Sequence, residues 1–266
     1  MTNVFFGFGH GFGGTHLLAE LLSLSPNVDC KHERRGPTSK QALFDKFMVV
    51  FHGDVGAGEK AIMEERLYMV NNITSGGKVF GEINGILGFF VTALFHSWPK
   101  AKFVYMMRDP RTQVITTHNT GIFNDVVAKS ILKAHPEWNS VWWWPLPSND
   151  DPVQPKWASL SAYEKCAWFW SAYNEFVCVQ LEKLPKDQVF YYKFEDMIKG
   201  VRLDELYDFL KINKPIDGKI QNVLSKKHGK TAQRVSNLLP VWEKQNEEQH
   251  KSILAFVKKT MIKLSY

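Results

Sequence analysis

Cysteine is scarce in this chain: three residues, Cys30, Cys166 and Cys178, with no pair at CxxC spacing. A sparse, odd set excludes a disulfide framework, argues against a zinc site and fits a reducing compartment. No run of about 18 apolar residues occurs, so no membrane partner is expected. Charge of one sign never accumulates either. Lys and Arg number 33 against 27 Asp and Glu, a formal charge of +6, with a pI near 9.0. The basic residues are scattered as Lys31/Arg34/Arg35, Lys226/Lys227/Lys230 and Lys258/Lys259. Such a surface favours anions such as nucleotides, phosphates and sulfates, and the lack of a basic block speaks against a nucleic-acid partner. The opening MTNVFFGFGHGFGG has no basic n-region and is interrupted by glycine. It does not read as a signal peptide, so the expected mature start is Met1 or Thr2 and the expected location cytoplasmic.

What is present is ordinary globular material, 44% apolar and 23% charged over 266 residues. That length suits one large α/β domain, residues 1–266, because such folds often reach about 250 residues around a single core. Apolar runs alternate with amphipathic segments, the pattern of a parallel sheet flanked by helices. Strands are predicted at Val4–Phe8, Val28–His32, Lys78–Ile83, Lys102–Met107 and Gln188–Phe194. Helices are predicted at about 15–24, 38–51, 59–72, 86–98, 110–118, 159–184, 201–211 and 248–264. Asp109 reads as an N-cap with Pro110 at the first helical position, where its missing N–H costs nothing. Residues at about 119–158 form a Trp- and Pro-rich excursion that includes Trp138, Trp142, Trp143, Trp144 and Trp157. These tryptophans either pin an irregular segment to the core or line an acceptor pocket. Trp168, Trp170, Tyr173 and Phe176 fall at helical spacing and read as core.

Five glycines, at 7, 9, 11, 13 and 14, crowd the turn between the first strand and first helix. Glycine there permits positive φ and close approach of an anion, and the helix N-terminus points free N–H groups at the same place. Gly9 to Gly14 matches the GxxxxG of a P-loop, but Thr15-His16 follows where a nucleoside triphosphatase needs Lys and then Ser or Thr. The GxGxxG of dinucleotide enzymes also fits Gly9, Gly11 and Gly14, with Glu33 in range as the ribose-binding acid. A second anion site is expected where Arg108 ends the KFVYMM strand, with Thr116 about two helical turns on. A guanidinium and a hydroxyl can hold one phosphate between them, although Arg108 as an ion-pair partner of Asp109 is the plainer alternative.

Three stretches carry a resemblance to the sulfotransferases that use 3'-phosphoadenosine 5'-phosphosulfate (PAPS). FFGFGHGFGGTHLLAELLSLSPNV resembles their 5'-phosphosulfate loop, KFVYMMRDPRTQVITTH their 3'-phosphate segment, and VFYYKFEDMIKGVRLDELYDFLKI their strand ending in Tyr-Glu-Asp with its following helix. The motifs occur in the family's order and bracket about 200 residues. The resemblance implies that Gly11, Phe12, Gly13, Gly14, Thr15 and His16 hold the 5' end of PAPS, and that Arg108 and Thr116 hold the 3'-phosphate. It implies further that Phe194 stacks on adenine, and that Lys227 and Lys230, with Lys226 and Arg234, cover the 3'-phosphate. The departures are Phe12 at the position of the family's basic residue, Gly13 for its serine and His16 for its last threonine. His10, His16, Lys31 or Arg34 are the substitutes for the missing cation, unless backbone N–H groups carry that load.

Transfer to an acceptor hydroxyl or amine needs a base, and needs no metal in principle. His32-Glu33 is the first choice. It follows the first helix, where some relatives carry a catalytic glutamate. Alternation along a strand lets only one of the two face the site, with Glu33 favoured. Glu33 paired with Arg34 or Arg35 is the structural alternative. Glu82 is the second choice, because Glu-Ile-Asn-Gly stands where cytosolic relatives have Lys-Thr-His, and His10 is the third candidate. The expected reaction is metal-independent, in-line sulfuryl transfer to a small-molecule acceptor, leaving adenosine 3',5'-bisphosphate. A nucleotide kinase of the same fold, a nucleotide-binding protein without transferase activity and, more remotely, a basic RNA-binding module are the alternatives. The acceptor, the pathway and the oligomeric state are not readable from the sequence.

Overall fold

A computed structural model describes residues 3–34, 55–123, 146–226, 242 and 247–266. By its contacts the chain forms two compact units, residues 1–108 with 176–233, and residues 109–175 with 234–266. The first unit holds five parallel strands: β1 (Val4–Gly9), β2 (Val28–His32), β3 (Val79–Ile83), β4 (Lys102–Met107) and β5 (Val189–Lys193). They lie in the order β2-β3-β1-β4-β5. β1 and β3 are buried along their whole length, which is why both read as continuous apolar runs rather than alternating ones. β2, on the edge, alternates in burial.

The strand order reverses at β1, which pairs β3 on one side and β4 on the other. Open α/β sheets bind ligands at such a switch point, beyond the carboxyl ends of the strands. Helix α1 (Thr15–Ser23) follows β1, α2 (Val55–Ser75) precedes β3, and a 3-10 turn (Gly85–Phe90) leads into α3 (Val91–Ser97). The sequence predicts one helix over 86–98. The start is tighter because Asn84 donates its N–H to the Gly7 carbonyl at 2.9 Å, while its side chain caps the turn by accepting from the Ile86 N–H. A short α6 (Phe194–Met197) follows β5 directly, then α7 (Leu203–Leu210) and a helical stretch over 217–226. The Tyr207 hydroxyl donates to the Leu21 carbonyl at 2.9 Å, tying α7 to the end of α1.

The second unit begins with α4 (Pro110–Asn119), capped as the sequence predicts by Asp109, whose carboxylate accepts from the Arg111 N–H. That carboxylate also forms an ion pair with the Arg111 side chain. Helix α5 (Ala162–Leu181) crosses the division between the units. It starts later than the sequence suggests because residues Gln154–Ser159 wind as 3-10 helix. A capping box sets its first turn: Glu164 accepts from the Ser161 N–H at 2.7 Å, and Ser161 Oγ accepts from the Glu164 N–H at 3.3 Å. Trp168 and Trp170 are buried as expected, their indole N–H groups on Asp151 and Gln113. Trp157 packs edge-on against Trp168 and Phe123, the pinning role. Helix α8 (Glu247–Lys263) closes the chain, with the Ser171 hydroxyl donating to the Phe256 carbonyl at 2.7 Å. The predicted helix over 38–51 and Trp138, Trp142, Trp143 and Trp144 lie outside the described residues. The three cysteines are buried. Among the described residues no helix is long and apolar enough to cross a membrane.

Candidate functional site

The carboxyl edge of the first unit gathers the chemistry. β1 runs into a turn in which the Gly13 N–H donates to the His10 carbonyl at 2.9 Å. Gly14 then takes the N-cap of α1 at φ 95, a left-handed conformation open to glycine. No side chain caps α1, and no acidic residue sits in its first turn, so the positive end of its dipole is left for an anion. Part of the glycine signal has a packing cause. A Cβ at Gly9 would stand 2.5 Å from the Met106 carbonyl oxygen, and one at Gly14 would stand 2.4 Å from the Phe194 ring. A Cβ at Gly85 would stand 2.9 Å from the Gly9 carbonyl oxygen. The loop is therefore a seam where three backbone segments meet as well as a candidate cradle.

Phe12 also has positive φ, 65°, which costs a non-glycine residue on the order of 1–3 kcal/mol. Its carbonyl accepts from Arg108 Nη1 at 2.7 Å, and the residue is 43% exposed. Arg108 itself is buried, with its guanidinium carbon 4.7 Å above the Phe194 ring. The family resemblance implies that Phe194 stacks on adenine, but the residue is only 3% exposed and its ring already lies between Gly14 and Arg108. Its observed work is to carry the guanidinium and wedge the loop. Arg108 closes the first unit's contribution at β4, while Thr116 belongs to the second unit. There the Thr116 hydroxyl donates to the Thr112 carbonyl one turn back at 2.8 Å, a bond it must release to donate to a phosphate.

His32, the last residue of β2, reaches the loop: its Nε2 lies 3.1 Å from Thr15 Oγ1, and its ring centroid 5.2 Å from that of the exposed His16. Glu33 follows at φ 47 with its side chain exposed and its N–H on the Ile83 carbonyl. Of the two neighbours, His32 is the one whose ring meets the glycine loop. Arg34 is buried with its guanidinium over Phe80; it donates to the Gly81 carbonyl and forms an ion pair with Asp29. Asp29, rather than Glu33, is its carboxylate partner, and the guanidinium is committed to the strand backbone instead of the loop. Lys31 is exposed.

Glu82, the alternative base, is fully buried and held by Arg66 of α2 in two bonds of 2.6 and 2.8 Å. A carboxylate clamped this way is a structural anchor, which removes it as a base. Arg66 carries no local signal, because its setting MEERLYM reads as a solvated helix face. Asn84 and Gly85 do carry a local signal, since Asn-Gly after a strand marks a turn. His10 is 2% exposed, and its Nδ1–H donates to the Gly11 carbonyl at 3.0 Å. Burial lowers its pKa to about 4, with the Arg108 charge acting in the same direction. It is a neutral imidazole near pH 7 and a weak base. Of the expected 3'-phosphate lysines, Lys226 is exposed, and Lys227 and Lys230 lie outside the described residues, as does Arg234. No group of three or more His, Cys, Asp or Glu able to hold a metal occurs among the described residues.

No family model matches the chain, and no curated protein matches it. Solved structures do share its architecture. The sulfotransferase domain from the curacin biosynthetic pathway superposes with a TM-score of 0.51 at 15% identity, over 83% of this chain and 77% of that one. The fold is sulfotransferase-like. A sulfotransferase from Alicyclobacillus acidocaldarius gives a TM-score of 0.45 at 18% identity, over 92% of this chain and 99% of that one. The sulfotransferase domain of the Synechococcus PCC 7002 olefin synthase gives 0.49 at 12%, over 97% and 94%. At these identities the likeness concerns the sulfotransferase fold, a parallel sheet flanked by helices.

Proposed function

We propose that this chain is a sulfotransferase that moves a sulfuryl group from PAPS to the hydroxyl or amine of a small acceptor, leaving adenosine 3',5'-bisphosphate. The observation that carries the reading is the meeting, on one sheet edge, of an uncapped helix N-terminus, the buried cation Arg108 and the imidazole of His32. The fold shared with sulfotransferase domains supports it. In this reading the α1 amides, Gly11 to Thr15 and His16 receive the 5'-phosphosulfate, and Arg108 receives the 3'-phosphate.

His32 is the base in this mechanism. In the tautomer protonated at Nδ1, Nε2 accepts from the Thr15 hydroxyl at rest and from the acceptor during reaction. As that proton leaves, the acceptor oxygen or nitrogen bonds to sulfur, and the bond from sulfur to the bridging phosphate oxygen breaks in line. The charge gathering on the leaving phosphate meets the α1 amides, the donors available at the position where the family's basic residue is replaced by Phe12. The residues present suit a doubly phosphorylated nucleotide: glycine amides and a helix dipole at one end, a guanidinium at the other. Thr15-His16, standing where Lys and a magnesium-binding hydroxyl would be needed, favours this over a kinase.

Mass spectrometry of products from PAPS with a panel of alcohols, phenols and amines tests the reading. A sulfated product together with adenosine 3',5'-bisphosphate is expected. Phe12 at the cation position favours one other reading, a nucleotide-binding protein without transferase activity. Thermal stabilisation by adenosine 3',5'-bisphosphate with no sulfated product from any acceptor would establish it instead.

A further inference from the structure

Phe12 is held at a cost to the fold. Its backbone sits at φ 65 in a loop already built of glycine, and glycine would take that conformation without strain. The residue is 43% exposed, unusually open for a large apolar side chain. The backbone that carries the ring is nonetheless fixed on both sides. Gly13 donates to the His10 carbonyl, and Arg108 donates to the Phe12 carbonyl at 2.7 Å. A large apolar side chain in a strained, rigid and solvent-facing position points to a use outside folding.

The chemistry of the donor says which use. In PAPS the sulfuryl group is the outermost part of the 5' end, and the base lies at the other side of the ribose. A side chain on the loop that receives the 5' end therefore stands beside the reacting sulfur and the incoming acceptor, away from adenine. Resting on the function proposed above, we infer that Phe12 is a specificity-determining residue. Its ring forms one wall of the acceptor subsite and selects acceptors with a flat apolar group next to the nucleophile, a phenol or aromatic amine, over small aliphatic alcohols.

The test compares the wild type with Phe12→Gly, Phe12→Leu and Phe12→Trp, using 2-naphthol and 1-butanol as probes. Transfer from PAPS is followed by mass spectrometry, and naphthol binding is measured on protein saturated with adenosine 3',5'-bisphosphate. In Phe12→Gly, the preference in kcat/KM for naphthol over butanol is expected to fall at least ten-fold, and naphthol Kd to rise by a similar factor. The midpoint of thermal unfolding should rise as the strain is removed. Phe12→Leu, which keeps the strained backbone but loses the flat ring, should follow Phe12→Gly in preference, and Phe12→Trp should stay near the wild type. A preference that survives Phe12→Gly within two-fold overturns the inference. So does a larger loss on the bisphosphate than on naphthol, or a wild type that does not bind naphthol. Phe12-dependent naphthol binding without any sulfated product sinks the transferase reading and leaves the wall. Sulfation with an unmoved preference does the reverse.

Discussion

The ends of β2 and β3 lie side by side and meet opposite fates. Their register pairs Lys31 with Glu82 and His32 with Ile83, so Glu82 and His32 point to opposite faces of the sheet. On one face α1 brings Thr15 to His32 at the edge of the glycine loop. Ile83 shares that face, since a Cβ at Gly7 would strike it at 2.4 Å and touch Leu18 of α1 at 3.5 Å. On the other face α2 brings Arg66, which clamps Glu82 where no solvent reaches. Two ionisable side chains, one residue apart in register, become an addressable group and a buried anchor. The helix that covers each face makes the difference.

The largest effect should come from breaking the anchor. Glu82→Gln, which leaves Arg66 buried without its counter-charge, should destabilise the fold by about 3–5 kcal/mol, read as a lower urea midpoint. The double change Arg66→Met with Glu82→Leu should restore much of that loss, because a buried pair is strained more by losing one partner than both. If Glu82→Gln unfolds normally but loses turnover, the contrast between the two strands fails.

His10, one residue past the end of β1, extends the comparison. Unfolded, its imidazole binds a proton below about 6.5; folded, only below about 4. Between those values the unfolded state holds the extra proton, so stability falls as pH falls from about 6.5 to 4, by roughly 3 kcal/mol in all. His10→Asn should flatten that part of the profile, measured as unfolding free energy against pH.

The addressable side of the contrast is tested by His32→Ala. Turnover should drop about 100-fold or more, the range of a lost general base, while the Kd for adenosine 3',5'-bisphosphate changes far less. Arg108→Ala should do the opposite, weakening that Kd by about 2 kcal/mol through the loss of a charged, buried contact; titration calorimetry reads it directly. The smallest effect should belong to Glu33→Gln, whose exposed side chain predicts a change in turnover of about two-fold or less. A Glu33→Gln variant as damaged as His32→Ala would return the base to the carboxylate.

Local signals in the sequence marked the frame closely. β2 and β4 have the expected bounds, and Asp109-Pro110 starts α4 as the capping rules require. The glycine loop and the position of Arg108 at a strand end were also legible, because glycine runs, caps and apolar runs act over a few residues. The choice between His32 and Glu33 was not legible. Alternation says that only one of them faces the loop, but which one depends on where α1 crosses the sheet. Arg66 was invisible for the same reason, since only its approach to Glu82 distinguishes it from any arginine on a charged helix.

By itself, then, the sequence determined the chain order of the five strands, the turn chemistry of the loop and the cation closing β4. These depend on backbone propensity and side-chain periodicity over one or two turns. Only the tertiary structure decided that Glu82 is sealed by Arg66, that Phe194 supports Arg108, and that Arg108 holds the Phe12 carbonyl. Each of these joins residues 16, 86 or 96 positions apart, and the energy of bringing distant charges and rings together is set by packing, which local pattern does not encode.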